Sequence, residues 1–267
     1  MLTFNNLGNL GRLANQMFQY ASLKGIAKHR GFDYMVPVYS DTFIDSLGNK
    51  LRTELFNPFN LKVNIGSMQT EKYFQEPHFE FSQDLFDNCP DNVSLYGFFQ
   101  TEKYFNHIRD DILKDFTFRK EFEDGYDEVK DMFDNPVALH IRRGDFIINH
   151  ANHHNLSLSY YEKALKEFDD DRQIVIFSDD TKWCGEQELF SGDRFLICET
   201  GHPYIDLCIM SKCSDFIIAN STFSWWGAWL CNNKDKVVLY SDRWFGPNNE
   251  HKSLKDLFPP TWKMVSS

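Results

Sequence analysis

Five short apolar runs give the second half of this chain a strongly constrained architecture: Val137-Ala-Leu-His-Ile141, Gln173-Ile-Val-Ile-Phe177, Arg194-Phe-Leu-Ile-Cys198, Asp215-Phe-Ile-Ile-Ala219 and Lys236-Val-Val-Leu-Tyr240. Each is bounded by polar or turn residues, the form taken by strands buried on both faces of a parallel sheet. Helical patterns lie between several of them, at Ser159 to Phe168, Pro203 to Lys212 and Thr222 to Asn232. Strands alternating with helices predict a doubly wound α/β sheet, and such sheets bind ligands beyond the carboxyl ends of their strands. The residues directly after the runs are where chemistry is expected.

The first half is less regular. From Asn15 to Arg30 apolar residues recur at helical spacing and Gly31 supplies a stop. Phe32-Asp-Tyr-Met-Val-Pro37 and Val93 to Phe99 read as strands, with an aromatic-rich, irregular stretch between them. Arg119 to Asp134 is highly charged and poor in apolar residues, which places a boundary between Phe118 and Pro136 and predicts domains over 1–130 and 131–267.

A net charge of -11 makes the surface repel nucleic acid and anionic membrane, so an anionic ligand needs a local basic cluster. Six cysteines without CxxC spacing fit a reducing compartment better than a disulfide scaffold. No run of about 18 apolar residues and no signal-like N-terminus is present, so the expectation is a cytoplasmic enzyme without a transmembrane segment, at most peripheral at the membrane.

The basic cluster is His140-Ile-Arg-Arg-Gly-Asp145, at the end of the first run. Alternation along a strand puts His140 and Arg142 on one side and Arg143 on the other, which makes Arg142 the ligand candidate and Arg143 the structural ion-pair partner. Gly144 leaves room for backbone to approach a diphosphate. The competing reading pairs both arginines with carboxylates such as Asp145 or Asp179.

After the fourth run comes Asn220-Ser-Thr-Phe-Ser-Trp-Trp-Gly-Ala-Trp-Leu230. Ser221 and Thr222 can cap the following helix, or offer hydroxyls and free amides to phosphate. Trp225, Trp226 and Trp229 fit a buried helix face better than a sugar platform. Ser178-Asp-Asp180 follows the second run; a carboxylate there can accept from N1 and N2 of guanine, or Asp180 can cap the next helix. Asp169-Asp-Asp171 matches a metal-holding Asp-x-Asp pattern but lies in a charged helix-to-strand turn, so no metal is expected. Gly8 and Gly11 lack the third glycine of a dinucleotide fingerprint; Asn15 caps the helix or points its amide into an interdomain cleft.

Four segments together resemble glycosyltransferase family 11, the α-1,2-fucosyltransferases: Gly11-Arg-Leu-Ala-Asn-Gln-Met-Phe-Gln-Tyr-Ala21, Tyr96-Gly-Phe-Phe-Gln-Thr-Glu-Lys-Tyr-Phe105, His140-Ile-Arg-Arg-Gly-Asp-Phe146 and Ala219-Asn-Ser-Thr-Phe-Ser-Trp-Trp-Gly-Ala-Trp-Leu230, with Trp244-Phe245 behind them. Ala14 departs from the glycine usual there. The resemblance implies a GT-B-like fold, two Rossmann-like α/β domains facing a cleft, and metal-independent inverting transfer from GDP-β-L-fucose to the 2-hydroxyl of a terminal β-galactosyl glycan. It implies no cofactor beyond that donor. It assigns the donor to His140, Arg142, Asp179, Asn220, Ser221, Thr222 and Phe223, and the acceptor side to Arg12, Asn15, Gln16 and Gln100. Arg142 answers the charge on the departing GDP; the proton acceptor is left open between Asp145 and His150, with His153 and His154 behind them. The alternatives are transfer to another linkage or acceptor, or a non-catalytic homologue that binds nucleotide or carbohydrate.

Overall fold

A two-residue strand, β1 (Leu2–Thr3), and a long helix, α1 (Leu13–Arg30), open the chain in the computed structural model, which describes residues 1–38, 42–45, 48 and 50–267. Gly31 ends α1 in the left-handed conformation at φ 69°, a conformation glycine adopts without penalty, and Lys28, His29 and Arg30 complement the helix dipole in its last turn. The helix starts two residues before the expected Asn15, with Arg12 at the N-cap position.

Contacts divide the chain into two compact units, the first comprising Met1–Phe118 and Lys252–Pro259. In it, β4 (Tyr73–Gln75) and β5 (Val93–Tyr96) join β1 in a parallel sheet of order β1-β5-β4. A small antiparallel pair, β2 (Phe43–Ile44) with β3 (Lys50–Leu51), and helices α2 (Gln83–Asn88) and α3 (Arg109–Asp115) complete it. The strand expected over Phe32 to Pro37 is not formed: Tyr34 bridges Leu2 and Val36 bridges Ile65, and neither pairing extends. The returning segment is anchored by Asp256, which accepts from the Phe81 amide at 3.2 Å and pairs with Lys103 at 2.5 Å.

The second unit comprises Arg119–His251 and Pro260–Ser267, so the whole charged stretch after Phe118 belongs to it. In chain order it holds α4 (Lys120–Asp127), β6 (Val137–Ile141), α5 (Gly144–Ile148), α6 (Leu158–Leu165), β7 (Ile174–Ser178), α7 (Thr181–Gly185), β8 (Phe195–Ile197), α8 (Pro203–Ser211), β9 (Asp215–Ile217), α9 (Thr222–Leu230), β10 (Val238–Ser241) and β11 (Lys263–Val265). Its sheet has the order β11-β10-β9-β6-β7-β8, with every pairing parallel. Val137, Leu139, Ile141, Ile174, Ile176, Ile217 and Leu239 fill the core from the sheet. Trp225, Trp226 and Trp229 are buried and stack among themselves and on Trp262, so all three are packing residues.

From β6 the chain winds outward through β7 to β8, then returns to the other side of β6 and winds outward from β9 to β11. The switch point therefore lies between the carboxyl ends of β6 and β9, where a doubly wound sheet opens a crevice for ligand.

Candidate functional site

Both sequence clusters of the second unit emerge at that switch point. His140 is the penultimate residue of β6 and Ser224 lies in the first turn of α9; their Nδ1 and Oγ are 2.9 Å apart. This contact ties the end of one switch strand to the helix that follows the other. Burial, with the Arg142 charge as a smaller cause, pushes the imidazole down to about 3, so His140 is neutral at physiological pH. Its ring also faces Phe223 at 5.6 Å.

Arg142 follows β6 directly and is held by two carboxylates, Asp145 at 2.5 Å and Asp179 at 2.6 Å. Arg143 pairs with Asp180 at 3.0 Å and lies 3.9 Å over the ring of Trp183. Both arginines are ion-paired, and Arg142 is the more tightly bracketed. The space beside Gly144 is likewise filled by Asp179, whose Oδ2 would lie 2.4 Å from a Cβ at that position. Asp179 also accepts from the Arg143 amide at 2.9 Å, and Asp180 caps α7 by accepting from the Trp183 amide. Two guanidinium and three carboxylate groups therefore meet here.

At the carboxyl end of β9, Asn220 is spent structurally: its amide donates to the carbonyls of His154 and Trp244, each at 2.8 Å. Ser221 caps α9 by accepting from the Phe223 amide, and Thr222 is the first helical residue. Both are only partly buried, and the helix amides point at the space before them. His150 is exposed in the turn after α5, while His153 stacks on Phe146 at 4.0 Å. Asp169 to Asp171 are exposed on the turn before β7, at the opposite end of the sheet from Arg142. No group of three His, Cys, Asp or Glu able to hold a metal ion exists among the described residues.

In the first unit Gln100 Nε2 donates to Asn15 Oδ1 at 2.9 Å, joining two of the sequence motifs beyond β5. Asn15 is therefore not the helix cap; it lies in the first turn of α1. Gln16 is fully buried: its nitrogen donates to the carbonyls of Gly11 and Arg52, and its oxygen accepts from the amides of Glu54 and Leu55. It shapes the loop and has nothing left for a ligand. Arg12 is exposed, and Ala14 occupies helical backbone that alanine favours. Sequence reading missed Ser224, Trp183, Gln19 and Glu76. Only Trp183, an aromatic one turn past Asp180, carried a local signal.

The sequence profile of glycosyl transferase family 11 matches residues 3–266. The chain is 31% identical to the O-antigen biosynthesis glycosyltransferase WbnK of Escherichia coli, over 92% of this chain and 96% of that protein. It is 30% identical to an α-1,2-colitosyltransferase of E. coli, over 96% of each, and 26% identical to galactoside 2-α-L-fucosyltransferase SEC1 of Bos taurus, over 96% of this chain and 72% of that protein. Among solved structures, fucosyltransferase NodZ from Bradyrhizobium aligns with a TM-score of 0.55 at 12% identity, covering 85% of this chain and 91% of NodZ. POFUT1 in complex with GDP-fucose aligns with a TM-score of 0.52 at 13% identity, covering 90% and 96%. The fold is GT-B-like, α/β with parallel sheets. No described helix is long and apolar enough to cross a membrane. With a profile match over nearly its whole length and two relatives matched over 96% of theirs, the chain belongs to glycosyl transferase family 11.

Proposed function

We propose that this protein transfers L-fucose from GDP-β-L-fucose to the 2-hydroxyl of a terminal β-galactosyl glycan, with inversion to an α-1,2 linkage and without a metal. The observation that carries the reading is the Arg142 guanidinium seated where β6 ends, at the switch point of a parallel sheet, in a chain of this family. Cleavage of the bond between fucose C1 and phosphate oxygen builds negative charge on GDP. A fixed guanidinium meets that charge as it forms. The amino end of α9, with Ser221 and Thr222, adds amide and hydroxyl donors to the same diphosphate.

In this reading the diphosphate replaces Asp179 on Arg142. The released carboxylate then accepts from N1 and N2 of guanine, so one exchange couples phosphate binding to base choice. Asp145 keeps Arg142 oriented, which argues against its also serving as the proton acceptor. His140, neutral and tied to Ser224, contacts the nucleotide as a hydrogen-bonding group and not as a cation. A colitosyl donor is the second reading, favoured by the E. coli α-1,2-colitosyltransferase to which the chain is similar.

The test is transfer from GDP-fucose and GDP-colitose to a panel of galactose-terminated glycans in EDTA, followed by linkage analysis. Activity with GDP-fucose is expected, and Arg142→Ala should lower kcat by roughly a hundredfold or more, about 3 kcal/mol, while circular dichroism stays unchanged. Activity that appears only on adding manganese, or an Arg142→Ala protein as active as the parent, defeats the proposal.

A further inference from the structure

Two buried side-chain oxygens of the first unit have no hydrogen-bond partner among the described residues: Oε1 of Gln19 and Oε1 of Glu76. Both side chains are fastened to one turn, residues 97–100. Gln19 Nε2 donates to the carbonyls of Leu10 at 3.3 Å and Gly97 at 3.2 Å. With carbonyls as both partners the amide orientation is fixed, so the atom left over is its oxygen. Glu76 follows β4 directly, and its Oε2 accepts from the amides of Phe98 at 2.9 Å and Phe99 at 3.1 Å. The turn is closely fitted to this carboxyl. Gly97 has φ 153° and Phe99 φ 53°, and a Cβ at Gly97 would lie 2.6 Å from Glu76 Cβ and 2.7 Å from its Oε2.

We propose that Glu76 is carried as a neutral carboxylic acid whose proton, on Oε1, is donated to Gln19 Oε1, and that this closed pair is the positioning element for the 97–100 turn and, through Gln100, for Asn15. One proton satisfies two acceptors that otherwise remain buried without partners, a state that costs free energy at each atom. Oε2 keeps its lone pairs for the two amides, the division of roles expected of a protonated carboxyl. Burial pushes Glu76 up to about 7, against the lowering effect of the Phe99 and Phe98 amides and of Lys252. Tyr104, itself raised by burial, faces Glu76 and Asp256, and Asp256 is neutralised by Lys103. Among the described residues Lys252 is the cation whose charge acts on Glu76, and burial outweighs it. The turn then delivers Gln100 to Asn15, and Asn15 packs so closely on Gly11 that a Cβ there would lie 2.2 Å from its Nδ2. The effect on acceptor binding rests on the fucosyl-transfer reading; the proton itself does not.

The sign of the pH effect follows from the raised value. Below about 4.5 both folded and unfolded chains hold the proton; between about 4.5 and about 7 only the folded chain does, so stability falls as pH rises through that window. Glu76→Gln keeps the acceptor at Oε2 and places an N–H donor where the proton sat, whereas Glu76→Ala removes both. Relative to Glu76→Gln, the parent's folding equilibrium constant should fall with rising pH by up to roughly a hundredfold. Infrared spectra on the acid side of neutrality should show a protonated-carboxyl band that Glu76→Gln lacks. Glu76→Gln should transfer within about twofold of the parent, while Glu76→Ala raises the acceptor KM by about tenfold and leaves GDP affinity unchanged. A Glu76→Gln protein that binds GDP but transfers no better than Glu76→Ala would mean that the ionised carboxylate is needed, and overturns the proposal. Absence of the band, with the same pH slope in both proteins, overturns it too. If the parent transfers nothing from GDP-fucose, the functional reading fails, and the band and slope decide the proton alone.

Discussion

Arg142 lies between Asp145 and Asp179, so on the proposed reading its charge is released to the diphosphate by exchange. That makes Asp179 and the glycine beside it sensitive positions. Gly144→Ala would drive a methyl group into Asp179 Oδ2 and disturb the whole carboxylate–guanidinium set, so GDP affinity should fall by about tenfold or more in calorimetry. Asp179→Asn should narrow the preference for GDP over ADP by roughly tenfold, because the site loses the charged acceptor for guanine; an unchanged ratio of the two dissociation constants would place the base elsewhere. The residues at the strand ends were legible in sequence, since the strands announce themselves. Asp145 and Asp179 were legible as candidate partners, but that Arg142 takes both while Arg143 takes Asp180 was not, because Asp179 and Asp180 follow the neighbouring strand β7. The same limit hid the role of Gln16, whose partners at Arg52, Glu54 and Leu55 lie 36 to 39 residues away.

Strands were readable where they carry a continuous apolar run. The five apolar runs became β6 to β10 with shifts of a residue or two; four of them are buried strands that need continuous apolar side chains, while β8 is a half-buried edge strand that carries such a run all the same. β11 went unseen: Lys263-Met-Val265 is an edge strand with two exposed residues and carries no such run. Helix packing was hidden in two glycines. A Cβ on Gly25 of α1 would lie 2.0 Å from the Tyr104 carbonyl oxygen, and one on Gly227 of α9 would lie 2.3 Å from Met210 Sδ on α8. Backbone cannot yield as a methionine side chain can. Gly25→Ala should therefore destabilise the protein by about 1–3 kcal/mol, and Gly227→Ala by distinctly less, in chemical denaturation followed by circular dichroism. Equal losses would mean that Met210 has no alternative rotamer.

The two compact units are not two consecutive stretches of sequence. The chain passes from the first to the second after Phe118, back after His251, and forward again after Pro259. Residues 252–259 bring Asp256 to Phe81 and Lys103 of the first unit, and residues 260–267 supply β11 and Trp262 to the second. Truncation after His251 should consequently lower the melting temperature of both units in calorimetry, and loss confined to one would show that its share of the tail is dispensable. The first crossing falls where the charged stretch after Phe118 begins, and nothing in the composition of residues 252–259 marks the other two. Three crossings mean that neither half can be lifted out by a single cut. A hybrid enzyme joined only at the first crossing would inherit a foreign Lys103 opposite its own Asp256, so specificity in this scaffold changes more readily by substitution within a unit than by exchange of whole halves.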